Sequence, residues 1–183
     1  MATEEQLIAL AKEGSVPAFS ELVENYQERL MRFLLGRCRN RADAEDAIQD
    51  TFINAYRYIG SYNPRWRFST WLFRIALRNA ARISQVADAT IDDIPDSAGD
   101  PLEACIVDSE RENLWLAARR LLSADAYSAM WLRYVEDMSV KDIARTLQRP
   151  MSWTKVTLMR SRRRLSAELA SGHEAAANGE AYG

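Results

Sequence analysis

The sequence predicts an all-α protein of two small helical modules joined by an acidic flexible linker. Apolar residues recur with the 3.6-residue period of helices along most of the chain, and no alternating run is long enough to indicate a sheet. Residues 86–109 are rich in Asp and contain two prolines and a glycine, which is typical of a linker. We therefore expect modules at 1–85 and 110–169, followed by a flexible tail at 170–183.

Composition is compatible with a reduced, water-soluble chain. The 183 residues are 48% hydrophobic, enough to bury one core or two small ones, and the net charge is -2. At face value that net charge argues against nucleic-acid binding, but binding depends on where positive groups cluster. Cys38 and Cys105 lie far apart and outside any CxxC motif. With no signal peptide and no membrane-length apolar run, we expect reduced thiols and a cytoplasmic protein.

The sequence contains no recognisable set of catalytic residues. The single histidine, His173, sits in the Ala-rich tail and cannot by itself build a metal site or a catalytic triad. No glycine-rich phosphate loop is present, and no serine has an evident base. We expect no enzymatic activity, no catalytic residues, no metal, no cofactor and no small-molecule substrate.

The first module should contain four helices. Thr3 and Gln6 form a capping-box pattern that opens a short helix through Lys12, which Gly14 closes. Longer helices are expected from Ala18 to a break beginning at Gly36, from about 42 to 59, and from Ser69 into the eighties. Ser69 or Thr70 is the expected cap of the last helix, which follows a loop at 60–67.

The second module ends in a predicted helix-turn-helix. Helices are expected at about 110–122 and 124–135, and Ser139 should cap a short third helix. A turn at 148–151 then precedes a final helix, capped by Ser152 and running to about residue 169.

Two basic segments stand out from this mildly acidic chain. Residues 56–83 carry six arginines and no acidic residue, interleaved with seven aromatic residues. Guanidinium groups that track phosphates and rings that stack on unpaired bases are typical of single-strand binding. The simpler interpretation is a helix with buried aromatics and solvated arginines, and we do expect Trp71 and Phe73 to lie in the core. Residues 141–165 carry a second basic surplus, of seven charges.

Two motifs identify a family resemblance. The segment from Asp43 to Phe52, followed by the segment from Phe68 to Asn79, resembles region two of the extracytoplasmic-function (ECF) sigma factors, which belong to the sigma-70 family. Residues 132–144, with Pro150, Lys155 and the basic run at 160–165, are similar to region four. The resemblance covers about 5–84 and 110–168, in the family's order.

The resemblance implies an RNA polymerase sigma factor that binds core RNA polymerase and promoter DNA. Its third helix would dock on the clamp helices of the largest subunit through one polar stripe, although such a stripe is also what a solvated face looks like. The stripe consists of Asp46, Gln49, Asp50 and Asn54. Binding of the melted -10 element would fall to Asn63, Arg65, Trp66, Arg67, Arg78, Asn79 and Arg82.

In the final helix, one seam should pack inward and the opposite face should meet the -35 element in the major groove. The inward seam is Thr154, Leu158, Ser161 and Leu165. The expected -35 contacts are Arg149, Ser152, Trp153, Lys155, Val156, Thr157 and Arg160.

The sequence also departs from the family pattern. After Asn79 only Arg82 remains of the usual arginine run, which implies a weak grip on the duplex beside the -10 element. The recognition helix lacks the usual arginine and serine, which removes hydrogen-bonding reach toward the -35 element. Asp137 replaces a helix-ending glycine, a role that aspartate fills in the left-handed conformation, and Ser123 replaces a proline.

Several alternatives stay open at this point. The linker residues Asp92, Asp93 and Asp96 could line the polymerase's RNA path, as in the family, although we favour plain solvation and disorder. The chain could be a stand-alone helix-turn-helix regulator, or a sigma-like protein that titrates another factor without opening promoters. The resemblance further implies an anti-sigma factor as a partner, a protein that in this family is often membrane-anchored.

Overall fold

The computed structural model describes residues 2–90 and 110–179, which form eight α-helices and one short 3₁₀ turn, without strands. The all-helical prediction is therefore confirmed for these residues. The chain divides into two compact units, Met1–Pro101 and Leu102–Gly183. The helices are α1 (Glu4–Lys12), α2 (Val16–Arg37), α3 (Arg41–Tyr58), α4 (Phe68–Thr90), α5 (Glu110–Leu121), α6 (Ala124–Tyr134), α7 (Val140–Thr146) and α8 (Met151–Gly179), with the 3₁₀ turn at Ile59–Ser61.

Most of the predicted linker falls outside the described residues. Its first five positions, 86–90, belong to α4, which is therefore longer than the sequence indicated. The residues for which an RNA-path role was considered, Asp92, Asp93 and Asp96, lie outside the described ranges.

The predicted start of α1 is confirmed. The Thr3 hydroxyl accepts from the Gln6 amide, and the Gln6 side chain accepts from the Thr3 amide. Gly14 follows the helix with a φ of 95°, a conformation that glycine adopts without a side-chain penalty.

The predicted bounds of α2 were wrong at both ends. Ser15 rather than a later residue caps the helix, and proline fits its first turn because the missing amide proton has no partner there. Gly36 lies inside the last turn instead of breaking it. The neighbouring Phe33, Leu34 and Leu35 are buried, and this burial outweighs the roughly 1 kcal/mol that glycine costs in a helix.

The start of α4 also differs from the prediction. The helix begins at Phe68, so the expected caps Ser69 and Thr70 lie in its first turn, where both are buried. Phe68 is buried among rings, 5.5 Å from the Tyr26 ring and 5.4 Å from the Tyr62 ring between centroids. This packing fixes the point at which the preceding loop enters the helix.

The core of the first unit lies where α2, α3 and α4 pack together. Phe73 is buried 5.2 Å from Phe33 between ring centroids, as predicted. Trp71 is only half-buried, against the rings of Tyr62 and Phe68.

The second unit surrounds an aromatic cluster of Trp115, Tyr127 and Trp131. Ser123 caps α6 and Ser139 caps α7, each through its hydroxyl. The expected cap Ser152 lies instead inside α8, which starts at Met151 and continues to Gly179, beyond the predicted end near 169. No helix among the described residues is both long enough and apolar enough to cross a membrane.

Candidate nucleic-acid interface

The loop between the 3₁₀ turn and α4 is closed by its own hydrogen bonds. The Tyr62 hydroxyl donates to the Trp66 carbonyl at 2.5 Å. The Trp66 amide donates to the Asn63 carbonyl at 3.1 Å, and the Arg65 amide donates to the Asn63 side-chain oxygen at 3.0 Å. A loop held in this way presents its side chains in one arrangement and loses little conformational entropy on binding.

Tyr62 anchors this loop to the core of the first unit. Only 7% of the residue is exposed, and its ring lies 5.4 Å from Phe68 and 5.6 Å from Trp71 between centroids. Burial raises the pKa of the Tyr62 phenol above its ordinary value, and the charges of Glu4 and Glu5 raise it further. The hydroxyl is therefore held in the neutral form that donates to Trp66.

The loop residues predicted to touch DNA are all exposed. They are Asn63, Arg65, Trp66 and Arg67. Trp66 is 36% exposed, so about a third of this large aromatic residue is open to solvent. An exposed ring beside two guanidinium groups can stack on an unpaired base while neutralising its phosphates.

Asn79 lies in the interface between α3 and α4 rather than on an exposed surface. It is 7% exposed. Its amide nitrogen donates to the Thr51 hydroxyl at 3.3 Å, and its oxygen accepts from the Asn54 amide at 3.2 Å. The structure thus separates Asn79 from its predicted partners Arg78 and Arg82, which are exposed on the same helix. Thr51 was not singled out from the sequence, because a buried threonine has no distinctive pattern.

The four residues of the α3 stripe fall into two pairs. Asp46 and Gln49 are exposed. Asp50 forms an ion pair with Arg82, and Asn54 bonds to Asn79, so these two side chains also join α3 to α4. The ion pair therefore links one predicted polymerase-binding residue to one predicted DNA-binding residue.

The helix-turn-helix has the predicted inward seam. Thr154, Leu158, Ser161 and Leu165 are all buried. The opposite face carries exposed Ser152, Lys155, Val156 and Arg160, with Trp153 and Thr157 half-buried. The turn before α8 contains Gln148 with a φ of 54°, and Asp137 after α6 has a φ of 50°. The left-handed conformation predicted for Asp137 is confirmed.

Arg149 is held within the second unit by Asp125, a residue that sequence reasoning missed. Its guanidinium donates twice to one Asp125 carboxylate oxygen, at 3.0 and 2.6 Å. The same guanidinium lies 5.4 Å from the centroid of the Trp153 ring. This arrangement fixes Trp153 at the start of the recognition helix and leaves Arg149 less available to a phosphate.

Comparisons with known proteins agree with one another on a single family. The Sigma-70 region 2 family matches residues 22–83. The RNA polymerase sigma-H factor of Pseudomonas aeruginosa is 28% identical over 180 residues, covering 91% of this chain and 93% of the relative. The ECF RNA polymerase sigma-E factor of Haemophilus influenzae is 30% identical over 174 residues, covering 87% and 92%.

A solved structure has the same fold. It is the sigma factor RpoE in complex with the anti-sigma factor NepR from Bartonella quintana, with a TM-score of 0.61 and 23% identity. The match covers 85% of this chain and 98% of that one.

Proposed function

The chain belongs to the ECF RNA polymerase sigma factors of the sigma-70 family, and from this we propose how its surfaces divide the work of transcription initiation. A sigma factor is a specificity subunit: it directs core RNA polymerase to promoters and is not itself an enzyme. The similarity to ECF sigma factors extends over both units. It favours this function over a stand-alone regulator, whose activity would need only the helix-turn-helix.

The closed loop at 62–67 is the surface that captures the melted -10 strand. The observation that carries this proposal is the exposure of Trp66 between exposed Arg65 and Arg67, on a loop that the Tyr62 hydroxyl closes. An extruded base regains stacking on such a ring, worth about 1–3 kcal/mol per base. Arg78 and Arg82 extend the positive surface along α4, while Asn79 supports it from within.

The exposed half of the α3 stripe, Asp46 and Gln49, is the surface we assign to the clamp helices of the largest polymerase subunit. Ile53 lies one turn further along α3 and is 54% exposed. An apolar side chain beside acidic and amide groups suits a basic helical partner. Burial of the apolar side chain contributes affinity, and the complementary charges fix the alignment of the two helices.

The outward face of α8 is the surface we assign to the -35 element. Lys155 and Arg160 are positioned to neutralise phosphates, and Val156 offers a methyl surface for thymine. Because Asp125 holds Arg149, we expect Arg149 to contribute mainly by orienting Trp153.

An anti-sigma factor is the expected regulator, and the bacterial cytoplasm is the expected location. The related structure was solved with an anti-sigma factor bound. The exposed apolar side chains Leu10, Val16 and Ile53 of the first unit could be covered by such a protein. Membrane anchoring would then be a property of the partner.

The strand-capture assignment is tested by changing Trp66 and Arg67 to Ala. The double variant should keep its affinity for core polymerase but lose most permanganate reactivity at unpaired thymines of the -10 element. The matched control is Arg32→Met, because Arg32 is exposed on α2 and its ion pair among the described residues is a local one with Glu28. Undiminished reactivity in the double variant would show that another surface holds the open strand.

A further inference from the structure

We infer that Lys12, at the end of α1, is a positioning residue for the strand-capturing loop. The Lys12 ammonium donates to the Tyr62 carbonyl at 2.8 Å and lies 5.3 Å from the centroid of the Tyr62 ring. Fifty residues separate the two positions in the chain. The inference rests on the proposed function of the loop and adds to it a residue outside every predicted site.

The contact matters because Tyr62 begins the loop and its hydroxyl also bonds to Trp66 near the end of the loop. The Tyr62 hydroxyl donates to the Trp66 carbonyl, while its ring packs against Phe68 and Trp71. Lys12 donates to the backbone carbonyl of the same residue. The Tyr62 hydroxyl is bonded to the Trp66 carbonyl. A shift of the Tyr62 backbone therefore also moves Trp66 and its exposed indole.

The donor itself is placed by a rigid element. A capping box at Thr3 and Gln6 starts α1, and the Tyr26 hydroxyl of α2 donates to the Glu4 carboxylate at 2.5 Å. Leu7, Ile8 and Ala11 are buried. Because α1 spans only nine residues, an anchor near its start and a buried face along its length determine where Lys12 lies.

Two other roles for Lys12 make different predictions. A lysine in the last turn of a helix also interacts with the helix dipole, which would make its contribution one of stability alone. A lysine near a nucleic-acid surface could instead contact a phosphate, and its removal would then lower the salt dependence of binding by about 0.7 to 1 unit of slope. A positioning residue changes affinity without changing that slope.

The experiment measures binding of a single-stranded oligonucleotide carrying the -10 sequence to core polymerase loaded with the full-length chain. Lys12→Met should weaken oligonucleotide binding about three- to tenfold, the range that one intramolecular hydrogen bond supplies. Affinity for core polymerase and the salt slope should stay at wild-type values, and the thermal midpoint should fall by no more than a few degrees, as expected for the loss of one hydrogen bond. Lys12→Arg should restore binding, because a guanidinium can still donate to the carbonyl. Arg32→Met, which removes the same charge elsewhere in the unit, should have no effect.

Each other result overturns the inference in a distinguishable way. Wild-type oligonucleotide affinity in Lys12→Met would refute positioning while leaving the proposed function intact. Weaker core binding, or oligonucleotide binding that returns to the wild-type value at a low temperature where the variant is fully folded, would assign Lys12 a stabilising role, and a reduced salt slope would assign it a phosphate. If the wild-type holoenzyme does not bind the oligonucleotide, the proposed function of the loop fails, and the inference fails with it.

Discussion

At the scale of single residues, Tyr62 connects the loop at 62–67 to the core of the first unit. Its ring is buried, its hydroxyl closes the loop and its carbonyl accepts from Lys12. Burial and the nearby charges of Glu4 and Glu5 raise the pKa of its phenol above the ordinary value of 10.0. The neutral phenol is favoured in the folded state, so its contribution to stability is complete below pH 10.0 and is lost as the pH rises through the folded-state pKa.

Replacement of Tyr62 by Phe tests this account through pH. At pH 8 the variant should be less stable than the wild type by about 0.5–1.5 kcal/mol, because the bond to the Trp66 carbonyl is missing. The difference should shrink from about pH 10 upward, since only the wild type then loses stability by ionising this phenol. Urea unfolding between pH 8 and 11 measures it. A gap that stays constant over that range would contradict the assigned environment of Tyr62.

At the scale of helices, a polar seam joins α3 to α4 beneath the predicted DNA surface. Asn79 bonds to Thr51 and Asn54, and Asp50 pairs with Arg82. The ion pair is partly exposed, so it contributes little to stability. The buried amide contributes more, because removing it strands polar partners away from water.

Asn79→Ala should therefore destabilise the protein by about 1–3 kcal/mol in urea unfolding. Arg78→Ala provides the control one position away. Arg78 is exposed, and its removal should change stability by no more than about 0.5 kcal/mol. Equal stability of the two variants would show that the buried network does not hold α3 and α4 together.

The two faces of α8 separate in the same way. Leu158 is buried and Val156 is 40% exposed. Leu158→Ala should cost about 2–5 kcal/mol of folding free energy. Val156→Ala should leave stability within about 0.5 kcal/mol of wild type and lower affinity for -35 duplex DNA instead. A large loss of stability in Val156→Ala would contradict the assignment of that face to DNA.

Local patterns predicted most helices, because helix caps and apolar periodicity depend on residues that are close together in the sequence. Thr3 with Gln6 and the cap at Ser139 are confirmed, and so is the seam through Leu158. Contacts between distant residues were not predictable from these patterns. The bond between Lys12 and Tyr62 is an example, since nothing in either local sequence requires the other. The family motif likewise gave the position of Asn79 but not its burial.

At the scale of the whole molecule, the surfaces that we assign to polymerase and DNA are divided between two compact units. The first unit presents the α3 stripe and the loop around Trp66, and the second presents the outward face of α8. Joint use of these surfaces requires core polymerase, because promoter recognition and strand capture occur on the same enzyme. Promoter recognition and strand capture therefore both depend on docking to core polymerase.

Docking is tested with Asp46→Ala combined with Gln49→Ala. Both side chains are exposed, so the fold should stay intact while affinity for core polymerase falls roughly five- to tenfold. Asp50 is left unchanged because its loss would also release Arg82. Glu24→Ala, an exposed acid on α2, is the control. Unaltered affinity of the double variant would remove this face from the polymerase interface.

The most direct measurement is run-off transcription from fragments of the source bacterium's DNA, with core polymerase in the presence or absence of the purified chain. The account predicts discrete transcripts that require the chain and that share upstream -35 and -10 sequences. Core binding without any chain-dependent transcript would contradict it and indicate a titrating protein. Binding to duplex DNA with no affinity for core polymerase would contradict it in favour of a stand-alone regulator.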